Sequence, residues 1–239
     1  LTGPIILSAL GLAFFKLSIG MGTMITYGSY FRDDQNIPTT AVRVMLADLL
    51  VSILAGLAIF PAVFAFGFQP DAGPSLLFQT IPAVFASMPL GNIFVVIFFV
   101  LTAIAATGAM LSLMEVPVSF LNERVGLSRR NATLLTVVVL ALVGSTAALS
   151  SSVLADVKVL GKTFFDLFDY ASSNVLLPIG GLLICLFTAW VFGRKRIQEA
   201  LSNHGRLSNR AIVNAFIFLV RYVAPILVVL VLLNGIGVF

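Results

Sequence analysis

Four ionisable side chains, Lys16, Asp48, Glu115 and Arg221, lie inside long apolar runs or close to their ends, with no obvious route for snorkelling to water. A charge near a bilayer centre costs about 2.5 to 3.5 kcal/mol on insertion scales, and it persists where it faces a partner, a cavity or a transport path. Lys16 is the most informative of the four, because it sits in the glycine-broken stretch 13–30, AFFKLSIGMGTMITYGSY. An ammonium there can neutralise a carboxylate, or load and release a proton. Ser18, Gly20 and Gly22 follow it closely, and glycines at that density let a helix unwind and turn carbonyl and amide groups inward. Glycine-mediated helix packing gives the same spacing, so it is the lysine that tips the balance towards a binding site.

At about 1.5 Å per residue, Asp48 lies ~15 Å inside the second apolar run and Lys16 ~20 Å from the end of the first. A contact between Lys16 and Asp48 is therefore sterically plausible, and low dielectric makes each unpaired charge more costly than the pair. The alternative, each charge meeting a backbone carbonyl or water separately, stays open. Glu123 stands at the end of the third run, where it can answer Arg124, Arg129 or Arg130; Asp166 and Asp169 stand at the start of the fifth, where a helix dipole favours acids. Pro61, Pro117, Pro178 with Gly180 and Gly181, and Pro225 read as kinks, and Trp190 near Arg194 as an interfacial anchor.

These residues need long helices to hold them. Of 239 residues, 59% are hydrophobic and only 10% charged, with a mean hydropathy of +1.09, which excludes a water-soluble domain of this size. The 21 Phe, 19 Gly and 10 Pro fit a helix bundle with close contacts and breaks, whereas a β-barrel would show alternating segments of about ten residues. Six spans are expected, at about 5–30, 39–66, 92–122, 132–149, 165–193 and 209–238. The loops after the first, third and fifth spans hold Arg32 and Arg43, then Arg124, Arg129 and Arg130, then Arg194, Lys195, Arg196, Arg206 and Arg210, against only Lys158 and Lys162 on the other side. The basic loops are thus expected to be cytoplasmic in a multi-pass inner (plasma) membrane protein, with both ends of this segment outside. A chain that starts outside with Leu1 is expected to be the later part of a longer protein or a trimmed form. Residues 69–91, interrupted by Pro82, are too short to span and read as an outer re-entrant or interfacial hairpin.

Some chemistries are excluded. The sole histidine, His204, lies in a charged loop, so no hydrolytic triad forms at membrane depth, and the chain is not expected to be an enzyme. The single Cys185 lies in an apolar run and supports no disulfide framework. No metal-ligand cluster or phosphate loop appears, no cofactor is expected, and the charge of +4 is placed for topology and not for nucleic acid.

The run from Ala13 to Tyr30, followed by Arg32-Asp33-Asp34-Gln35, closely resembles the sixth helix of the neurotransmitter:sodium symporter family, the amino-acid transporters of the LeuT type. Gly56-Leu-Ala-Ile-Phe-Pro61 resembles its seventh helix, Gly73-Pro-Ser-Leu-Leu-Phe-Gln-Thr-Ile-Pro82 its outer hairpin, and Leu113-Met-Glu-Val-Pro-Val-Ser-Phe-Leu121 its eighth. The later helices match in order and length, so the likeness covers essentially the whole chain. It implies an all-α polytopic membrane protein, with residues 1–239 forming a partial transporter domain that holds LeuT-fold helices six to eleven and lacks helices one to five. The implied function is secondary active transport of an amino acid or related small zwitterion, by alternating access across the lipid bilayer.

By the same resemblance, Phe15, Ser18, Gly20 and Met21 would line the substrate pocket, with Ala109 and Leu113 facing them. Ser29, Tyr30 and Glu123 match the inner gate, Glu115 an acidic or amide position near it, and Asp169 the carboxylate of the outer gate. The implied coupling ion is Na⁺, but its ligand positions depart from the family pattern. A hydroxyl and an amide of the first sodium site are replaced by Lys16 and Asp48, and the hydroxyls of the second by Gly108 and Ala109, with Ala105 beside them on the same helix. Thr107 is one place out of register. At this position the Lys16 ammonium, beside Asp48, would occupy the ion site or repel a cation from it, so the pair is expected to replace a sodium ion, which leaves Na⁺-independent or proton-coupled transport open, along with a non-transporting truncated scaffold and, less strongly, a channel.

Overall fold

The computed structural model describes residues 2–32, 35–65, 67 and 76–238, and among these all the regular elements are helical. Asp33, Asp34 and residues 69–75 of the expected hairpin lie outside the described residues. Contacts divide the chain into two units, residues 1–38 with 112–239, and residues 39–111.

The first unit opens with α1 (Gly3–Lys16) and α2 (Thr23–Ser29), an interrupted pair in place of one continuous span. α6 (Arg129–Ala148) begins at Ser128, whose hydroxyl accepts from the Asn131 amide at 3.3 Å. α7 (Phe164–Asp169) begins at Thr163, which accepts from the Asp166 amide at 3.2 Å while its own hydroxyl donates to Asp166 Oδ2 at 2.7 Å. Asp166 is therefore a helix-capping residue. A π-helical stretch, Tyr170–Leu176, leads into α8 (Leu177–Leu186), and a second, Phe187–Phe192, completes the segment before α9 (Arg194–Leu201). α10 (Arg210–Phe218) passes through a third, Leu219–Val223, into α11 (Ala224–Gly235). Two of these wide turns come just before Pro178 and Pro225, each the second residue of its helix. Proline lacks an N–H and clashes with the carbonyl four residues back, so the turn ahead of it opens. α8 and α11 pack together, and α1 packs on both.

The second unit holds most of α3 (Ile37–Ala65) and the first part of α5 (Gly91–Glu123). Between them, a π-helical turn at Leu76–Thr80 and the short α4 (Ile81–Ala86) fold back on α5. The reversal is fixed at Gly91, where a Cβ would fall 1.7 Å from the Phe85 carbonyl oxygen, and by a phenylalanine cluster. Phe85 lies 5.7 Å from Phe98 and 6.3 Å from Phe94, and Phe78 stacks on Phe99 at 6.0 Å.

Five helical segments, Ile37–Ala65, Gly91–Glu123, Arg129–Ala148, Phe164–Phe192 and Arg210–Gly235, are long and apolar enough to cross a membrane. The first expected span, read as a helix broken at its glycines, is split, with its α1 part counting as a shorter apolar helix. Its interruption is the feature that a length rule misses.

Candidate substrate site at the interrupted helix

Leu17 to Gly22 link α1 to α2, and three of these six residues are left-handed: Ser18 at φ 53°, Gly20 at 92° and Gly22 at 82°. The end of α1 is a Schellman closure, with the Ser18 amide bonded to the Phe15 carbonyl at 3.1 Å and the Ile19 amide to the Phe14 carbonyl at 3.0 Å. A serine thus occupies the position that normally favours glycine. Lys16 is the last residue of α1, where the carbonyl end of a helix favours a cation. The chain becomes helical again when the Thr26 amide reaches the Gly22 carbonyl at 2.9 Å.

What holds the interruption in place is backbone contact with α8. A Cβ on Gly20 would lie 2.4 Å from the Leu177 carbonyl oxygen and 2.9 Å from the Gly181 amide nitrogen, and one on Gly180 would lie 2.4 Å from the Gly20 carbonyl oxygen. Gly181 admits the Phe14 ring edge, which would be 2.9 Å from a Cβ. Thr23, which opens α2, is buried with its hydroxyl without a partner among the described residues.

α2 is held at its other end by hydroxyls and charge. Tyr27 and Tyr30, one turn apart, face Ser112 and Glu115, also one turn apart on α5: Tyr27 donates to the Ser112 hydroxyl, and Tyr30 Oη to Glu115 Oε1 at 2.6 Å. Arg129 Nη2 bridges both Glu115 oxygens, at 2.8 and 2.7 Å. The carboxylate therefore accepts from a phenol and a guanidinium at once, the charge-assisted arrangement that gives the shortest and strongest hydrogen bonds. Ser29 does not join this group, because its hydroxyl donates to its own helix at the Thr26 carbonyl, 2.6 Å away.

A cavity of about 490 Å³ lies on the α1 side of the break, and Phe15, Asp169, Ser173, Asn174 and Asn234 are among its lining residues. Asp169 Oδ1 accepts from Ser173 at 3.1 Å, and Asn174 Nδ2 donates to the Gly235 carbonyl at 3.0 Å. Phe15 and Asp169, expected respectively in the pocket and in the outer gate, thus line one cavity; Ser18, Gly20 and Met21 belong to the break and not to its lining. Glu123 closes α5, while Arg129, one of its candidate partners, is engaged by Glu115. Leu113 lies on α5 next to Ser112.

In the second unit, Ala105, Gly108 and Ala109 fall at i, i+3 and i+4 on α5 and so share a helix face. Thr107 turns its hydroxyl back to the Ala103 carbonyl at 2.8 Å. Asp48 lies on α3, its carbonyl accepting from Ser52 at 2.5 Å. Among the described residues, no group of three or more His, Cys, Asp or Glu side chains is placed to hold a metal ion.

Arg129 and Ser112 are the partners that the sequence did not announce. A signal for Arg129 existed, since it opens α6 across the short connection 124–128 from the helix that carries Glu115.

Membrane-length helices together with an interrupted one, a cavity beside the break and an ionic cluster beyond it define a polytopic membrane protein of LeuT-type fold. The chain belongs to the sodium:neurotransmitter symporter family, whose model it matches over residues 4–239. It is 41% identical over 238 residues to an uncharacterized sodium-dependent transporter of Bacillus subtilis (strain 168), covering 100% of this chain and 52% of that protein. A second uncharacterized sodium-dependent transporter, from Haemophilus influenzae, is 32% identical over 236 residues, 98% of this chain and 51% of that one. Among solved structures, MhsT in complex with L-phenylalanine superposes with a TM-score of 0.86 at 39% identity, over 96% of this chain and 51% of MhsT. The chain thus spans about half the length of the relatives it matches.

Proposed function

We propose that the protein is a secondary active amino-acid transporter working by alternating access, with its substrate seated at the unwound segment Ser18–Gly22. The observation that carries this reading is the run of left-handed residues at Ser18, Gly20 and Gly22, which frees amide and carbonyl groups at the ends of two half-helices. Such groups supply partial charges of both signs, suited to the carboxylate and ammonium of a zwitterion. Phe15, Met21 and Leu113 would contribute apolar walls, and the adaptable Met21 suits a bulky side chain. The likeness to a protein crystallised with L-phenylalanine makes that amino acid the first substrate to try. Asp169 would serve the outer gate, and Ser29, Tyr30, Glu115 and Glu123 the inner one. The roles of Asp48, Ala105, Gly108 and Ala109 rest on the family resemblance alone. The membrane is the cell's inner (plasma) membrane, with the basic loops inside.

Na⁺ is the coupling ion in the first instance. A second reading is favoured by Lys16 at the carbonyl end of α1, where a half-helix would otherwise attract a cation: its ammonium replaces a sodium ion, and coupling passes to protons. Uptake of labelled L-phenylalanine by the full-length protein in proteoliposomes tests both. Dependence on an imposed Na⁺ gradient that survives Lys16→Met removes the replacement reading. Uptake indifferent to Na⁺ but lost on Lys16→Met removes sodium coupling. Absence of binding and uptake for all common amino acids would leave a non-transporting scaffold.

A further inference from the structure

A second cavity, of about 240 Å³, is lined by Arg194, Asn214, Ile217, Phe218, Arg221 and Tyr222. It uses none of the residues assigned to transport. Arg194 Nη2 donates to Asn214 Oδ1 at 3.0 Å, which holds one guanidinium against the wall. The Arg221 guanidinium lies 5.6 Å from the centre of the Trp190 ring and 5.7 Å from that of Tyr222. Cation–π contacts of this kind orient a guanidinium without consuming its N–H donors.

The backbone around the cavity is distinctive in the same place. Trp190 sits on the π-helical stretch Phe187–Phe192 and Arg221 on the stretch Leu219–Val223, and these two wide turns pack against each other. π-Helical turns are rare, and they recur where a helix must present a side chain for function. None of the lining residues is acidic, and among the described residues neither guanidinium forms an ion pair with a carboxylate. Two cationic forks with spare donors therefore share a concave space in which the Asn214 amide engages one of them. That chemistry fits a tetrahedral oxyanion gripped from two sides.

The surroundings indicate what carries the anion. Phe218, Trp190 and Tyr222 are 57%, 50% and 53% exposed, a concentration of aromatic surface that belongs at the membrane–water interface. Gly193 follows the Phe164–Phe192 segment three residues after Trp190, and Arg194, Lys195 and Arg196 begin the polar helix beyond. The cavity thus combines headgroup depth, positive charge and adjacent apolar surface.

We propose that this cavity binds the phosphate of an anionic phospholipid between Arg194 and Arg221, with the acyl chains lying over Phe218 and Tyr222. A free phosphate offers the same oxyanion but leaves the aromatic flank uncovered, which is why the lipid is the assigned source.

Native mass spectrometry of the full-length protein in detergent, offered phosphatidylglycerol and phosphatidylcholine at equal concentration, tests the assignment, with inorganic phosphate alone as a separate arm. Phosphatidylglycerol is retained in preference to phosphatidylcholine, and retention falls roughly tenfold for Arg194→Gln and for Arg221→Gln. Arg221→Lys, which keeps the charge and loses the fork, falls between, and Arg210→Gln, on α10 but outside the cavity, retains lipid as the unaltered protein does. Equal retention of phosphatidylglycerol by the unaltered protein and both glutamine variants overturns the proposal. Saturable binding of inorganic phosphate that phosphatidylglycerol does not displace overturns the lipid as the source. Should a glutamine variant fail to fold, the unaltered protein still decides. Phosphatidylglycerol with brominated acyl chains must quench the Trp190 fluorescence, defined by difference from Trp190→Phe, more than brominated phosphatidylcholine, and equal quenching overturns the proposal.

Discussion

The interrupted helix is held in two physically different ways at its two ends. At the break, Gly20 meets Gly180 and Gly181 backbone to backbone, with no room for a single added carbon. At the far end of α2, Tyr30, Glu115 and Arg129 meet through hydrogen bonds and charge, and the Arg129 side chain is 63% exposed. The first contact is steric and admits no graded response, because close-packed surfaces resist even one methyl group. The second is electrostatic and open to solvent, so it can be weakened and remade at modest cost. On the proposed reading, such a pairing suits a rigid fulcrum where the substrate would sit and a releasable latch at the inner gate. The difference yields a graded set of substitutions.

The strongest test is Gly180→Ala. Its methyl group would meet the Gly20 carbonyl oxygen at 2.4 Å, backbone against backbone, so the break and α8 must separate. A cost of about 3 kcal/mol is expected, at the upper end of overpacking penalties, together with loss of amino-acid uptake. Gly144→Ala, in α6 with nothing within 4 Å of the added carbon, is the control and should hold or slightly raise the thermal midpoint of the purified protein. Equal midpoints for the two variants would show that the fulcrum has slack. Next comes Gly22→Ala, where φ is 82° and Val116 Cγ1 would stand 3.3 Å from the new methyl. A left-handed alanine costs about 1 to 2 kcal/mol, and because Gly22 starts α2 the loss should be larger in substrate affinity than in global stability. Isothermal titration beside a melting curve separates the two.

These positions also mark how far the sequence could be read. Gly20 and Gly22 were compatible with an unwound segment and with close helix packing alike, Lys16 beside them tipped the reading towards a break, and the break lies there. Gly180 and Gly181 were visible only as part of a proline kink; that they receive Gly20 depends on how α1 and α8 cross, which no local pattern encodes. Ser18 was legible as a polar residue in the break but not as its left-handed closing residue, since serine has no preference for that conformation. Glu115 was legible as a buried charge, whereas its partner was not. Several arginines cluster in 124–130, and only the fold selects Arg129 among them. Spacing also put Ala105, Gly108 and Ala109 on one helix face, but only the family resemblance attached an ion to it.

At the latch the expected effects are smaller. Glu115→Gln keeps the shape and removes the charge that Arg129 grips at 2.7 and 2.8 Å. Because the guanidinium is mostly exposed, the loss should be about 1 kcal/mol, and it should shrink as salt screens the native pair. If the proposed alternating access holds, accessibility of a cysteine label on the side of the basic loops should rise in Glu115→Gln, as the population shifts towards a state open on that side. A salt-independent effect of several kcal/mol would mean that the latch is as rigid as the fulcrum, and the contrast between the two ends would fail.

The smallest effect has the opposite sign. Ser18 holds φ 53° to close α1, a conformation that costs a side-chain-bearing residue and costs glycine little. Ser18→Gly relieves that strain but adds freedom to the unfolded chain, so the net gain in stability should be below about 1 kcal/mol. The Schellman bonds from the Ser18 and Ile19 amides involve only backbone and survive the change. A serine retained where glycine would be more stable must then contribute through its hydroxyl, and substrate affinity should fall even as the melting temperature rises. Ser18→Ala separates the two contributions, because it keeps the strain and removes the hydroxyl. If Ser18→Gly leaves affinity unchanged, the serine is only a poor helix terminator, and the substrate is held at the fulcrum by the backbone alone.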